Sequence, residues 1–178
     1  SYLNKKQKRT HWHEAADIST KVMVIGVAKF AIQRAATIDN IPVESWVYPQ
    51  NRVEGFSDFS FAVPVMEFFI QQIGPYSYEK LANVQSATIM GGMENASNIF
   101  YPQSMITGKG DSKNTIVHEV VHQWFGNSAT ESDWSDLWLS EGFASYCTHL
   151  FNEATHGKDF MKKDLLEDRK AVIAHYKI

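Results

Sequence analysis

Cysteine is almost absent from these 178 residues. Cys147 stands alone, which excludes an intrachain disulfide and a four-cysteine zinc knot and leaves the compartment open. Long apolar runs are missing as well: nothing approaches the roughly 18 to 20 residues that crossing a bilayer needs, so no membrane span is expected. The basic start (Lys5, Lys6, Lys8, Arg9) ahead of the apolar residues 22–32 imitates a secretory leader, but His11, Trp12, His13, Glu14 and Asp17 intervene and Lys29 breaks the run. There is no strong excess of either charge. Seventeen Lys and Arg against twenty Asp and Glu leave −3, too mild for a nucleic-acid or anionic-membrane surface, so a small or peptidic partner is expected. Ten Gly and five Pro are too few for a collagenous or low-complexity chain, and an apolar share of 44% excludes disorder as the main state.

What is present divides into recognisable stretches. Residues 1–20 form a polar lead-in, and Val22, Met23, Val24, Ile25 and Val27 predict a strand buried on both faces. Asp39-Asn40 and the prolines at 42 and 49 punctuate the next stretch, with a strand over 44–48 and a domain boundary near 33–42. Phe61, Val65, Phe68, Phe69 and Ile73 recur at helical spacing and predict a helix over 59–73, stopped by Gly74-Pro75. Residues 80–90 and 96–101 read as extended, hairpin-like or edge material around Gly91-Gly92. Asp111 or Ser112 caps a helix over 113–125 ended by Gly126, and a second helix covers 135–155, ended by Gly157.

The first of these late helices carries His118-Glu119-Val120-Val121-His122. Four residues advance a helix by about 6 Å and turn it by about 400°, so the two imidazoles share a face and can converge on one metal. Glu119 falls beside that face, placed to reach a water held by the metal without being a good ligand. Two nitrogens leave a tetrahedral site one protein ligand short. Glu141, eighteen residues beyond His122, sits on the following helix, and a turn through 127–134 lets it complete a His₂Glu set whose fourth position stays open for water. A chain with seven His and eleven Glu produces His-Glu-x-x-His by chance often enough that this third ligand is needed to give the motif weight.

Gly91-Gly92-Met93-Glu94-Asn95, then residues 118–126, then Trp138 to Tyr146 resemble, in this order and spacing, the M1 family of zinc aminopeptidases, gluzincins marked by a Gly-x-Met-Glu-Asn segment. The resemblance runs from about residue 21 to the end and includes Trp46-Val47-Tyr48-Pro49. It implies one zinc ion per chain held by His118, His122 and Glu141, Glu119 as general base, and Glu94 holding the free α-amino group of a peptide substrate. Gly91, Gly92, Met93 and Asn95 would complete the substrate-binding segment. It further implies a partial thermolysin-like α+β catalytic domain over 34–178, preceded in 1–33 by the lead-in and the last strand of an amino-terminal β-domain. The partners would be peptides with a free amino-terminus and the remaining domains of the same enzyme. An M1-like epoxide hydrolase with aminopeptidase activity shares these motifs, and a non-catalytic M1-like interaction scaffold is the rival from another class.

Two departures stand out. Ser140 occupies a position where many members carry Asn, next to a ligand. The downstream tyrosine that helps the family's oxyanion is expected beyond Ile178, because Tyr146 and Tyr176 are too close to Glu141. Elsewhere, His11 and His13 read as polar lead-in, His149 and His156 as structural, Cys147 as a packed side chain, and Trp124, Trp134 and Trp138 as core. Ser145, one turn past Glu141, is a candidate neighbour of the ligand.

Overall fold

The computed structural model describes residues 2–4, 7–89 and 91–176. Two short strands, β1 (Tyr2–Asn4) and β2 (Gln7–Lys8), pair antiparallel at the start. The main sheet has four strands in the order β3 (Ala31–Ile38), β4 (Ile41–Val47), β5 (Leu81–Ser86), β6 (Asn98–Pro102). β3 and β4 form a hairpin closed by Asp39-Asn40, both at positive φ (49° and 67°), the geometry a two-residue turn needs to match strand twist. β4, β5 and β6 run parallel, with Val43 opposite Leu81 and Val84 opposite Phe100.

Between β4 and β5 lie α1 (Arg52–Phe59) and α2 (Ala62–Gln72); after β6 come α3 (Lys113–Val121), α4 (Leu137–His156) and α5 (Lys158–His175). α1 lies against β4 so closely that a β-carbon on Gly55 would fall 2.6 Å from Val47 Cγ1. α2 packs on α3, α3 on α4 and α4 on α5. The core joins Val43, Val47, Leu81 and Ile99 of the sheet to Val65, Met66 and Phe69 of α2 and Ile116, Val117, Val120 and Val121 of α3. β5 is buried along its whole length, as an interior parallel strand must be. The fold is thus α+β, and its core presses α3, with His118 in its last turn and His122 at its C-cap, against the sheet and α4.

Several expectations are corrected. The run 22–27 forms no strand: Thr20–Val22 is a 3-10 turn, Val22 alone of its apolar residues is buried, and Ile25 and Val27 are almost fully exposed. β-branched residues favour a strand only where a neighbour pairs with it, and the strand here begins at Ala31 and runs through the 33/34 position. The stretches 80–90 and 96–101 are not a hairpin, since β5 and β6 are parallel and joined by a crossover; the edge reading holds at Met93, which bridges antiparallel to Phe100. The helix expected over 59–73 begins at Ala62, behind a separate helix α1 that the sequence reading missed, as it missed α5. The helix expected to reach 125 ends at Val121, and α4 runs from Leu137 to His156.

Candidate metal centre

α3 sets His118 and His122 one turn apart, and their Nε2 atoms approach to 3.1 Å. α4 packs on α3 and brings Glu141 Oε2 within 3.2 Å of His118 Nε2 and 3.6 Å of His122 Nε2. Zinc bound tetrahedrally at about 2.0–2.1 Å spaces its donors by about 3.4 Å. The three atoms already lie at that spacing, so the donor set and its geometry both fit zinc.

The ring of His122 is fixed from behind. Its Nδ1 donates to the Phe125 carbonyl at 3.0 Å and has Ser140 Oγ at 3.2 Å, which leaves the Nε2 lone pair facing Glu141. Ser140 also donates to the Phe125 carbonyl, at 3.4 Å. Gly126 is required by this packing: at φ 120° it adopts a backbone that L side chains avoid, and a β-carbon there would fall 2.4 Å from Ser140 Oγ. Burial and the neighbouring His122 hold the His118 imidazole below its ordinary range, which favours the neutral, ligating form. The neighbouring His122, with His118 adding to it, pulls the Glu141 carboxyl down to about 2.

Glu119 points away from solvent, 5% exposed, beside Gly92. Burial, with the charges of Glu94 and Glu141 adding to it against the pull of His122, pushes its carboxyl up to about 8. Glu94 is also buried. Its segment is clamped to the outer edge of β6 by two hydrogen bonds, Met93 N–H to the Phe100 carbonyl at 2.8 Å and Phe100 N–H to the Met93 carbonyl at 3.0 Å. Carboxylate oxygens of Glu94 and Glu119 and a nitrogen of His122 all lie within 4.8 Å of one another. Gly91 and Met93 are exposed, Gly92 is half-buried, and Asn95 is buried. The structure therefore gathers His118, Glu119, His122, Glu141 and Glu94 around one space, with Gly92 forming its wall at Glu119.

Several supporting residues went unread in the sequence. Gln123 Nε2 and Asn127 Nδ2 both donate to the Glu94 carbonyl, at 3.1 and 2.6 Å. Gln123 Oε1 in turn accepts from Ser97 N–H at 3.0 Å. Lys21 forms an ion pair with Glu131 on the connection between α3 and α4, while the Val22 carbonyl accepts from Ala96 N–H at 3.1 Å. The only sequence signal for these was a polar residue directly after a ligand, at 123, in an otherwise apolar helix face.

Other residues fall outside the cluster. Trp124 is core, edge-on to Tyr76 and tilted against Phe69, but Trp134 and Trp138 are 72% and 67% exposed, which corrects the expectation that all three are buried. Both precede or open α4 on its solvent side, where no other element covers them. His149 bonds Asp168 of α5 at 2.7 Å, and Cys147 is buried. Ser145, the candidate neighbour of Glu141, is exposed.

Residues 58–176 match the family model described as the Peptidase family M1 domain. Aminopeptidase N of Rattus norvegicus is 34% identical over 154 residues, which cover 79% of this chain and 16% of that protein. Aminopeptidase N of Homo sapiens is 29% identical over the same length. Glutamyl aminopeptidase of Bos taurus is 31% identical over 173 residues, 90% of this chain and 18% of that protein. The chain thus spans less than a fifth of the length of these relatives, and the matched part contains every residue of the cluster except those of the Lys21 and Val22 brace. By this match, the chain belongs to peptidase family M1.

Proposed function

We propose that this chain carries the zinc centre and amine-recognition segment of a metalloaminopeptidase. The observation that carries the reading is the convergence of His118 Nε2, His122 Nε2 and Glu141 Oε2 at zinc-ligand spacing beside two further buried carboxylates. His118, His122 and Glu141 would hold the ion, which when bound supplies a Lewis acid for a peptide carbonyl and acidifies water. Glu119 would accept a proton from the attacking water and deliver it to the departing nitrogen, a shuttle that a carboxylate beside the ligands, and not among them, can perform. Glu94 would pair with the free α-ammonium of the substrate and so fix its first peptide bond near Glu119. Gly91 and Gly92 would let the substrate backbone lie close, since no side chain projects there. The names of the relatives, aminopeptidase N and glutamyl aminopeptidase, support an exopeptidase over an endopeptidase.

The same reading takes the α+β unit as the metal-binding part of a thermolysin-like domain, with the division from a preceding β-domain near residue 33. Hydrolysis of an alanyl- or leucyl-anilide by the zinc-loaded protein, compared with the same substrate acetylated at its amine, tests the activity. Preference for the free amine is expected; equal cleavage of both would replace the exopeptidase with an endopeptidase.

A further inference from the structure

Lys21 and Val22 are neighbours in the chain, yet they reach two different parts of the centre. Lys21 Nζ pairs with Glu131 Oε1 on the connection between α3 and α4, and the two side chains are only 11% and 5% exposed. The Val22 carbonyl accepts from Ala96 N–H at 3.1 Å and from Asn95 Nδ2 at 3.5 Å, the two residues that follow Glu94. Val22 is itself anchored in the core. Residues 130–132 make no backbone–backbone hydrogen bond among the described residues, so the ion pair is what ties this stretch to the anchor at Val22. Stability is a weak reason for such a pair. Glu131 Oε2 is buried and has no hydrogen-bond partner among the described residues, and a buried ion pair is often no more stabilising than well-packed apolar side chains of similar volume. What a directional charge contact adds over an apolar one is a fixed distance.

We propose that Lys21 and Glu131 are positioning residues: their ion pair fixes the approach to α4, and with it Glu141, relative to the segment that carries Glu94. The proposal rests on the metal and amine reading given above. In that reading, selection of a substrate depends on the spacing between an ammonium at Glu94 and a group held at the metal ligands. Glu94 lies just before the residues bonded to the Val22 carbonyl, and α4 begins at Leu137, shortly after Glu131. Two adjacent residues therefore hold both ends of the ruler. With the pair removed, the folded core remains, but the two carboxylates can shift relative to one another, and the loss falls on discrimination by spacing.

Calorimetric binding of two hydroxamates to the zinc-loaded chain tests this with no need of turnover. Alanine hydroxamate and β-alanine hydroxamate carry the same metal-binding group, but the amine of the second lies one carbon farther away. The parent should prefer the first. Lys21→Met/Glu131→Leu removes both charges at similar volume; it should keep zinc content, hold Tm at or above the parent's, and reduce the preference by about tenfold. Glu131→Gln should reduce it by several-fold, and covers a failure of the double variant to fold. Lys21→Arg should keep the parent's preference, since its planar fork can bond both Glu131 oxygens. A merely structural pair would move Tm and leave the preference alone, so a preference unchanged in the double variant, or in Glu131→Gln where the double variant does not fold, overturns the proposal. A preference lost equally in Lys21→Arg also overturns it, because shape and not charge would then be decisive. Zinc binding unchanged in His118→Ala, or a parent that binds N-acetylalanine hydroxamate as well as the free amine, would overturn the reading of the centre itself, and the proposal with it.

Discussion

Gly92 and Glu119 are so close that neither leaves room for the other to change. A β-carbon on Gly92 would fall 2.3 Å from Glu119 Cγ and 2.4 Å from its Cδ and Oε1. Because Glu119 is buried on the rigid helix α3, it cannot swing aside without leaving the cluster.

Gly92→Ala should therefore displace the Glu119 carboxylate while leaving the zinc ligands in place. A shift of about 1 Å in a group of this kind costs about 10²-fold in rate. Metal content measured beside turnover separates the two effects: zinc per chain stays at the parent level and kcat/KM falls. Parent-like turnover in Gly92→Ala would mean that the carboxylate's position is not critical.

Glu119→Gln should keep zinc and lower kcat by about 10²- to 10⁴-fold, because an amide of the same shape cannot accept a proton from water. KM should change little, since the amine contact belongs to Glu94. A variant that turns over normally would remove Glu119 from the proton-transfer role.

Zinc should also stabilise the folded chain, because its three donors meet only when α3 and α4 are packed together. At a free zinc concentration 100 times the dissociation constant, the gain is about 2.7 kcal/mol. Thermal melts with and without zinc read this as a rise in Tm that chelator reverses. His122→Ala should abolish the rise, and a zinc-dependent rise that survives the substitution would place the ion elsewhere.

The parts of this site that were legible in the sequence are those in which spacing on one element decides the geometry. His118 and His122 share a face because the helix repeat demands it, and Glu141 needed only a turn and a second helix. Glu94 was readable through its motif. The strand partners were not readable: β5 and β6 look like a hairpin in sequence, since only the fold determines that the intervening segment crosses over and that Met93 returns to the far edge of β6. The run at 22–27 has strong strand propensity and no strand beside it, so propensity misled. Gln123 and Asn127 act on a backbone carbonyl 29 and 33 positions earlier, and contacts with backbone leave no residue-type signature at the other end.

Gln123 supplies the sharpest test of how Glu94 is placed. It is 1% exposed and makes contacts in two directions: it donates to the Glu94 carbonyl at 3.1 Å, and it accepts from Ser97 N–H at 3.0 Å and from Tyr76 Oη at 3.4 Å. Gln123→Ala removes both and leaves buried polar groups unpaired, at a cost of about 1–3 kcal/mol for each one left unsatisfied. Gln123→Glu is more discriminating, because its carboxylate can still accept from Ser97 and Tyr76 but can no longer donate to the Glu94 carbonyl. Asn127 alone would then hold that carbonyl, at 2.6 Å. The expected outcome is a KM for free-amine substrates raised several-fold, with zinc content unchanged. A merely structural role would lower Tm in both variants without this rise in KM. If Gln123→Glu binds free-amine substrates as the parent does, Asn127 and the β6 clamp suffice to hold Glu94, and Gln123 contributes only to packing.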